Sequence, residues 1–147
     1  MSVAKIIKES RGSWVGTMTL RLAWGPDQIE TFESNSKLVI EIPEHDSFAN
    51  LRYRWSHEQA DRYGEMLICG PTVAWCDTFH QCASVMHLLG EGEGFKVTGN
   101  YTWEGSPPWG WRIEITNPTP DSLLLEMTNI SPEGEEELAV RAQYRRS

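Results

Sequence analysis

Gly12-Ser13-Trp14-Val15-Gly16-Thr17-Met18-Thr19-Leu20-Arg21-Leu22-Ala23-Trp24 is the stretch on which the fold turns. Trp14, Met18, Leu20, Leu22 and Trp24 share one parity, while Thr17, Thr19 and Arg21 share the other. Side chains alternate across a strand with period two, so this spacing reads as a strand with one core face and one solvent face.

The same alternation runs outward along the chain. Leu38, Ile40 and Ile42 carry it, then Leu51, Tyr53 and Trp55 with Arg52 and Arg54 opposite, then Val73, Trp75 and Phe79. Phe95, Val97, Tyr101 and Trp103 follow, interleaved with Lys96, Thr98, Asn100 and Thr102. Trp109, Trp111, Ile113 and Ile115, then Leu123, Leu125 and Met127, then Leu138, Val140, Ala142 and Tyr144 complete the series. Turn chemistry falls between the runs: Gly25-Pro26-Asp27, Pro43-Glu44-His45-Asp46, Gly70-Pro71, Gly90-Glu91-Gly92-Glu93-Gly94, Ser106-Pro107-Pro108, Asn117-Pro118 and Ser131-Pro132-Glu133-Gly134. About ten strands fit. Val3 to Ser10 reads as a short helix and Ser56 to Tyr63 as a turn within a long hairpin.

A sheet of about ten strands with one apolar face buries that face most simply by closing on itself, which also removes its edges. The expected fold is therefore all-β, a single closed antiparallel barrel over residues 1–147, with residues 1–11 as a helical or extended N-terminal segment. At 147 residues the chain is in the range of one domain, and 39% hydrophobic with 23% charged residues is an ordinary globular balance. No composition shift marks a second domain.

A net charge of -8 repels phosphate and weighs against nucleic acid as a partner. No apolar run of about 18 residues suggests a membrane span, and Met1 to Glu9 lacks the apolar core of a signal peptide. With an odd count of three cysteines, Cys69, Cys76 and Cys82, the expectation is a cytoplasmic protein with reduced thiols.

The inward parity is rich in aromatics with polar tips. Tyr53, Trp55 and His57 share a face, as do Trp75, Asp77 and Phe79, and as do Tyr101 and Trp103. Ligand sites are mostly apolar and aromatic with a few placed polar groups, so Tyr53, Trp55, His57, Trp75, Asp77, Tyr101, Trp103 and Trp111 form the candidate ligand-binding set. Arg54 is a further orienting candidate, although its parity points outward. The competing reading is that the seven tryptophans fill the core, with indole N–H groups paired to Asp77, His57 or backbone carbonyls.

Gly12-Ser13-Trp14, at the opening of the first long strand, resembles the Gly-x-Trp signature of the calycin superfamily, the lipocalin-like barrels. The resemblance implies that Trp14 closes one end of the barrel beneath a basic residue of the last strand, for which Arg141 and Arg145 are the candidates. Gly12-Ser13-Trp14-Val15-Gly16, Trp75-Cys76-Asp77-Thr78, Gly99-x-Tyr101 and Trp109-Gly110-Trp111-Arg112-Ile113 are also similar to a bacterial family of uncharacterised small proteins, a domain of unknown function with a calycin-like fold. Binding of a small ligand is what this fold implies; a particular activity does not follow from it.

Sharper chemistries find less support. By resemblance to nitrobindin-like barrels, a haem site would use a C-terminal His, and Leu138 to Tyr144 contains none. Cys76, His80 and Cys82 share a parity, yet strand residues four apart lie about 13 Å from one another, too far for one zinc ion. No cofactor or metal is expected. Cys76 or Cys82 with His80, and Asp77 with His57 or His87, are conceivable catalytic pairs without a supporting motif. The leading expectation is a non-catalytic binder of a small apolar or aromatic ligand. An enzyme using Asp77 and a histidine in the same pocket is the second, and a filled barrel acting through its surface, as a homo-oligomer or on a protein partner, is the third.

Overall fold

The first long alternating run forms a strand, β1 (Gly12–Gly25), and nine more follow it round a closed wall. They are β2 (Gln28–Glu41), β3 (Ala49–His57), β4 (Ala60–Cys69), β5 (Thr72–Asp77), β6 (Met86–Gly90), β7 (Phe95–Tyr101), β8 (Trp109–Thr116), β9 (Ser122–Ile130) and β10 (Glu136–Arg146). A helix, α1 (Lys5–Glu9), precedes them. The computed structural model describes residues 4–25, 27–90 and 94–147. Met1 to Val3, Pro26 of the first expected turn and Glu91 to Glu93 of the expected Gly90 to Gly94 turn lie outside the described residues.

Every strand pairs antiparallel with its sequence neighbour, and β1 pairs with β10 from Trp14↔Arg146 to Leu20↔Val140 to close the barrel. Two of the strands, β4 and β6, belong to no apolar run picked out above. On β4 the inward positions run through Ala60, Arg62 and Gly64 before reaching Met66 and Ile68, so the alternation starts without a large apolar residue. β6 is only five residues long. The expected turn between Ser56 and Tyr63 is made by Glu58 and Gln59, both at positive φ (52° and 59°), as a tight primed hairpin turn requires.

One end of the barrel is closed. Helix α1 lies across it with Ile7 wholly buried, and Ser10 Oγ donates to Asn117 Oδ1 of the β8–β9 connection at 3.1 Å. Trp14 seals the same end: its Nε1 donates to the Ser10 carbonyl at 2.9 Å, and a guanidinium stands 4.4 Å above its ring. That cation is Arg146 and not Arg141 or Arg145, which face outward as the alternation of Val140, Ala142 and Tyr144 dictates. Arg146 also donates to the carbonyls of Glu9 (2.8 Å) and Arg11 (3.0 Å), so one side chain ties the last strand to the helix end.

The opposite end carries the β1–β2, β3–β4, β5–β6, β7–β8 and β9–β10 turns. Trp24, expected on the core face, is 67% exposed there, because β1 runs past the rim and its register slips between Ala23 and Gly25. Between the two ends the interior is occupied by side chains, among them Met18, Leu20, Leu51, Met66, Ile113, Leu125 and Met127, each at most 1% exposed. Grooves of about 1000 and 550 Å³ run along the outside of the wall, flanked by outward residues such as Lys37, Arg54 and Arg145 in the first and Val39, Arg52 and Tyr63 in the second.

Candidate functional site

The chemistry collects at the end opposite the helix, and period-two geometry puts it there. Trp55 and His57 are inward positions at the end of β3, Arg62 is inward at the start of β4 directly across from Trp55, and Trp75 and Asp77 are inward at the end of β5. Trp111 enters from β8 and stacks on Trp75 at 5.5 Å with an 11° tilt. The turn after β5 then folds back over these residues. Its backbone is held by Gln81 and Cys82 N–H groups donating to the Asp77 carbonyl at 3.0 and 2.8 Å.

Phe79 and His80, carried by that turn, complete an aromatic cluster. Phe79 meets Trp55 edge-on at 5.5 Å and His57 at 5.3 Å, while His80 lies 6.1 Å from Trp55 and 5.2 Å from Trp111. Phe32 closes the side with an edge contact to His57 at 4.7 Å. The guanidinium of Arg62 lies over Phe79 at 5.4 Å.

Beneath the cluster runs a fully paired chain. Trp75 Nε1 donates to the Tyr53 hydroxyl at 3.0 Å, and that hydroxyl donates to Asp77 Oδ2 at 2.5 Å. Asp77 Oδ1 accepts the backbone N–H groups of Phe79 (2.7 Å) and His80 (2.9 Å). Burial alone pushes the Asp77 carboxyl up, but the His80 imidazole, the Tyr53 hydroxyl and the His80 backbone N–H together hold it below the usual carboxylate range. Burial and the neighbouring Asp77 charge push the Tyr53 phenol well above its ordinary value, so it stays a neutral donor.

Gly64 makes room for this arrangement. A Cβ there would fall on the Tyr53 ring, at Cζ and the hydroxyl, so the ring packs flat against the bare backbone of β4.

Above that paired chain the bonding is incomplete. Among the described residues, four buried side-chain polar atoms lack a hydrogen-bond partner: Trp55 Nε1, Trp111 Nε1, Arg62 Nε and His80 Nδ1. His80 Nδ1 does lie 3.3 Å from Asp77 Oδ1, but without the alignment of a hydrogen bond. All four belong to the one aromatic cluster. A buried polar group left unpaired costs about 1–3 kcal/mol, and native folds keep few of them.

Of the expected ligand set, Tyr53, Trp55, His57, Trp75, Asp77 and Trp111 come together here. Tyr101 is half-buried on the neighbouring wall, where its hydroxyl donates to Asn129 Oδ1 at 2.5 Å. Trp103 does not join them. It lies beyond the end of β7, 60% exposed, with an edge contact to Trp109, because the inward parity lapses where the ladder stops at Tyr101↔Trp109. Arg54 is exposed on the outside of β3, and the inward cation is Arg62, which the apolar pattern passed over. The histidine beside Asp77 is His80. His57 instead has its Nε2 3.1 Å from Glu58, and His87 faces outward. Cys76 points to the outside of the wall and His80 to the inside, so the two do not face each other.

Of the indole N–H partners, Trp14 uses a backbone carbonyl, as the filled-core reading expects, whereas Trp75 uses the Tyr53 hydroxyl and Trp109 the Ser106 hydroxyl at 3.2 Å.

No protein-family model matches the chain, and no curated protein does. Solved structures share the fold. An S-type phycobiliprotein lyase from Guillardia theta is 15% identical, with a TM-score of 0.54 over all of this chain and 93% of its own. The protein Rv2717c of M. tuberculosis is 12% identical, with a TM-score of 0.55 over 99% of each chain. A protein of unknown function from the DUF3598 family of Nostoc punctiforme is 13% identical, with a TM-score of 0.53, and this chain spans 51% of its length. At these identities the likeness is one of fold.

Proposed function

We propose that the chain is a calycin-like barrel that binds one small apolar or aromatic molecule, without catalysis, at the end opposite helix α1. The observation that carries this reading is the set of three buried donors without a partner, Trp55 Nε1, Trp111 Nε1 and Arg62 Nε, all within one cluster of aromatic rings. Rings supply flat apolar walls, and unpaired N–H groups supply the few placed polar contacts of a ligand site. The middle of the barrel is packed, so the ligand occupies the rim layer formed by Trp55, Phe79, His80 and Trp111 and displaces part of the Phe79–His80 turn to reach it.

Asp77 supports binding and not proton transfer in this reading. Both of its oxygens are already occupied by Tyr53 and by two backbone N–H groups, which fixes the turn that carries Phe79 and His80. A phycobiliprotein lyase among the similar folds is in keeping with a barrel that handles a ligand. A reducing, cytoplasmic setting accords with three cysteines that are all free and exposed.

Titration with N-phenyl-1-naphthylamine, a neutral aromatic fluorophore, tests the reading. The expected result is saturable one-to-one binding with quenching of tryptophan emission, weakened several-fold by Trp55→Leu. Absence of saturable binding to the native protein, or binding indifferent to Trp55→Leu, overturns it.

A further inference from the structure

Resting on the reading above, we propose that the ligand is an organic acid: an aromatic or apolar body ending in a carboxylate, with Arg62 as the residue that recognises the charge. Two strand cations share the inward parity, Arg62 on β4 and Arg146 on β10. Arg146 sits at the closed end, where its guanidinium is spent on Trp14 and on the carbonyls of Glu9 and Arg11.

Arg62 has no carbonyl partner among the described residues. Among the described residues no carboxylate lies within ion-pair distance of it, whereas Arg21, Arg52, Arg112 and Arg141 on other strands each have one. Its Nε is buried without an acceptor, and its guanidinium is held over Phe79 at the rim of the cluster. An inward guanidinium with a buried, unpaired N–H is costly unless an anion completes it, and the planar fork of arginine suits a carboxylate.

Asp77 and Glu58 are engaged elsewhere. Asp77 receives Tyr53 and the backbone of Phe79 and His80, and Glu58 lies beside His57. The other partnerless atoms agree in kind. The indole nitrogens of Trp55 and Trp111 can only donate. A site built of donors calls for a ligand end built of acceptors, and the arginine makes that end an anion.

The test is a competition between 2-naphthoate and 2-naphthamide, equal in shape and differing in charge, each displacing N-phenyl-1-naphthylamine. The expected result is naphthoate binding about tenfold or more tighter than naphthamide, as a charge-assisted hydrogen bond implies. Arg62→Gln should bring the ratio close to one, Arg62→Lys should keep part of it, and the outward Arg54→Gln should leave it intact. Equal displacement by the two competitors, or a ratio that survives Arg62→Gln, overturns the inference while leaving the aromatic site standing. Failure of the neutral fluorophore to bind at all overturns the parent reading, and this one with it.

Discussion

A single methyl group added at Gly64 should do more damage than its size suggests. The Cβ of Gly64→Ala would land on Cζ and the hydroxyl of Tyr53, and this ring is not free to swing away. Its hydroxyl is fixed from both sides, by Asp77 Oδ2 at 2.5 Å and by Trp75 Nε1 at 3.0 Å. If the ring moves, the bond to the Asp77 carboxylate (about 1.5–3 kcal/mol) and the bond from Trp75 (about 0.5–1.5 kcal/mol) are both lost. If instead the strands part to keep the ring, overpacking costs about 1–3 kcal/mol. Whichever route is cheaper, the expected loss is about 1–3 kcal/mol, which for a chain of this size lowers Tm by about 3–10 °C.

Urea unfolding at pH 7, followed by tryptophan emission and near-UV circular dichroism, measures that loss. Tyr53→Ala and the double variant Tyr53→Ala/Gly64→Ala complete a double-mutant cycle. With the ring gone the alanine has nothing to strike, so the double variant should be less destabilised than the sum of the singles by about 1 kcal/mol or more. A Gly64→Ala protein within about 0.5 kcal/mol of the parent, or additive effects in the cycle, would refute the packing argument.

Asp77 makes stability fall in acid. Its carboxyl is held below its unfolded value of about 3.9, so the stabilisation is complete above that pH and is lost as pH falls through the lower native value; Asp77→Asn should flatten urea midpoints measured between about pH 5 and 2. Arg146→Ala removes the cation above Trp14 and the donors to Glu9 and Arg11, which should cost about 1–2 kcal/mol and expose residues 5–11 to proteolysis; unchanged protease resistance would show that α1 is held without Arg146. Lys37 and Arg54 are direct cross-strand neighbours of like charge, so Arg54→Glu should stabilise the barrel by about 0.2–1 kcal/mol at low salt, with the gain fading as salt is added.

The barrel was legible in the sequence wherever its inward residues are apolar. Alternation is a property of the strand backbone itself, so Trp14, Leu20, Leu38, Tyr53, Trp55, Trp75 and Trp111 could be assigned to the interior without knowing any partner strand. β4 was harder to see because Arg62 and Gly64 occupy inward positions that a hydrophobic pattern does not score. Arg141 and Arg145 were the candidates for the cation over Trp14, but the same parity, followed to the end of β10, selects Arg146, since Val140, Ala142 and Tyr144 are its inward companions.

Other features depended on where the chain stops being a strand. Trp103 and Trp24 kept the correct parity but lay past the last useful rung of their ladders, where alternation no longer says which way a side chain points. His80 reached the site through the turn after β5, whose path is set by Asp77 and by backbone bonds made across the fold. Which nitrogens were left without partners was likewise a tertiary outcome. Side-chain direction is local and can be read from sequence; hydrogen-bond satisfaction belongs to pairs of groups that only folding brings together.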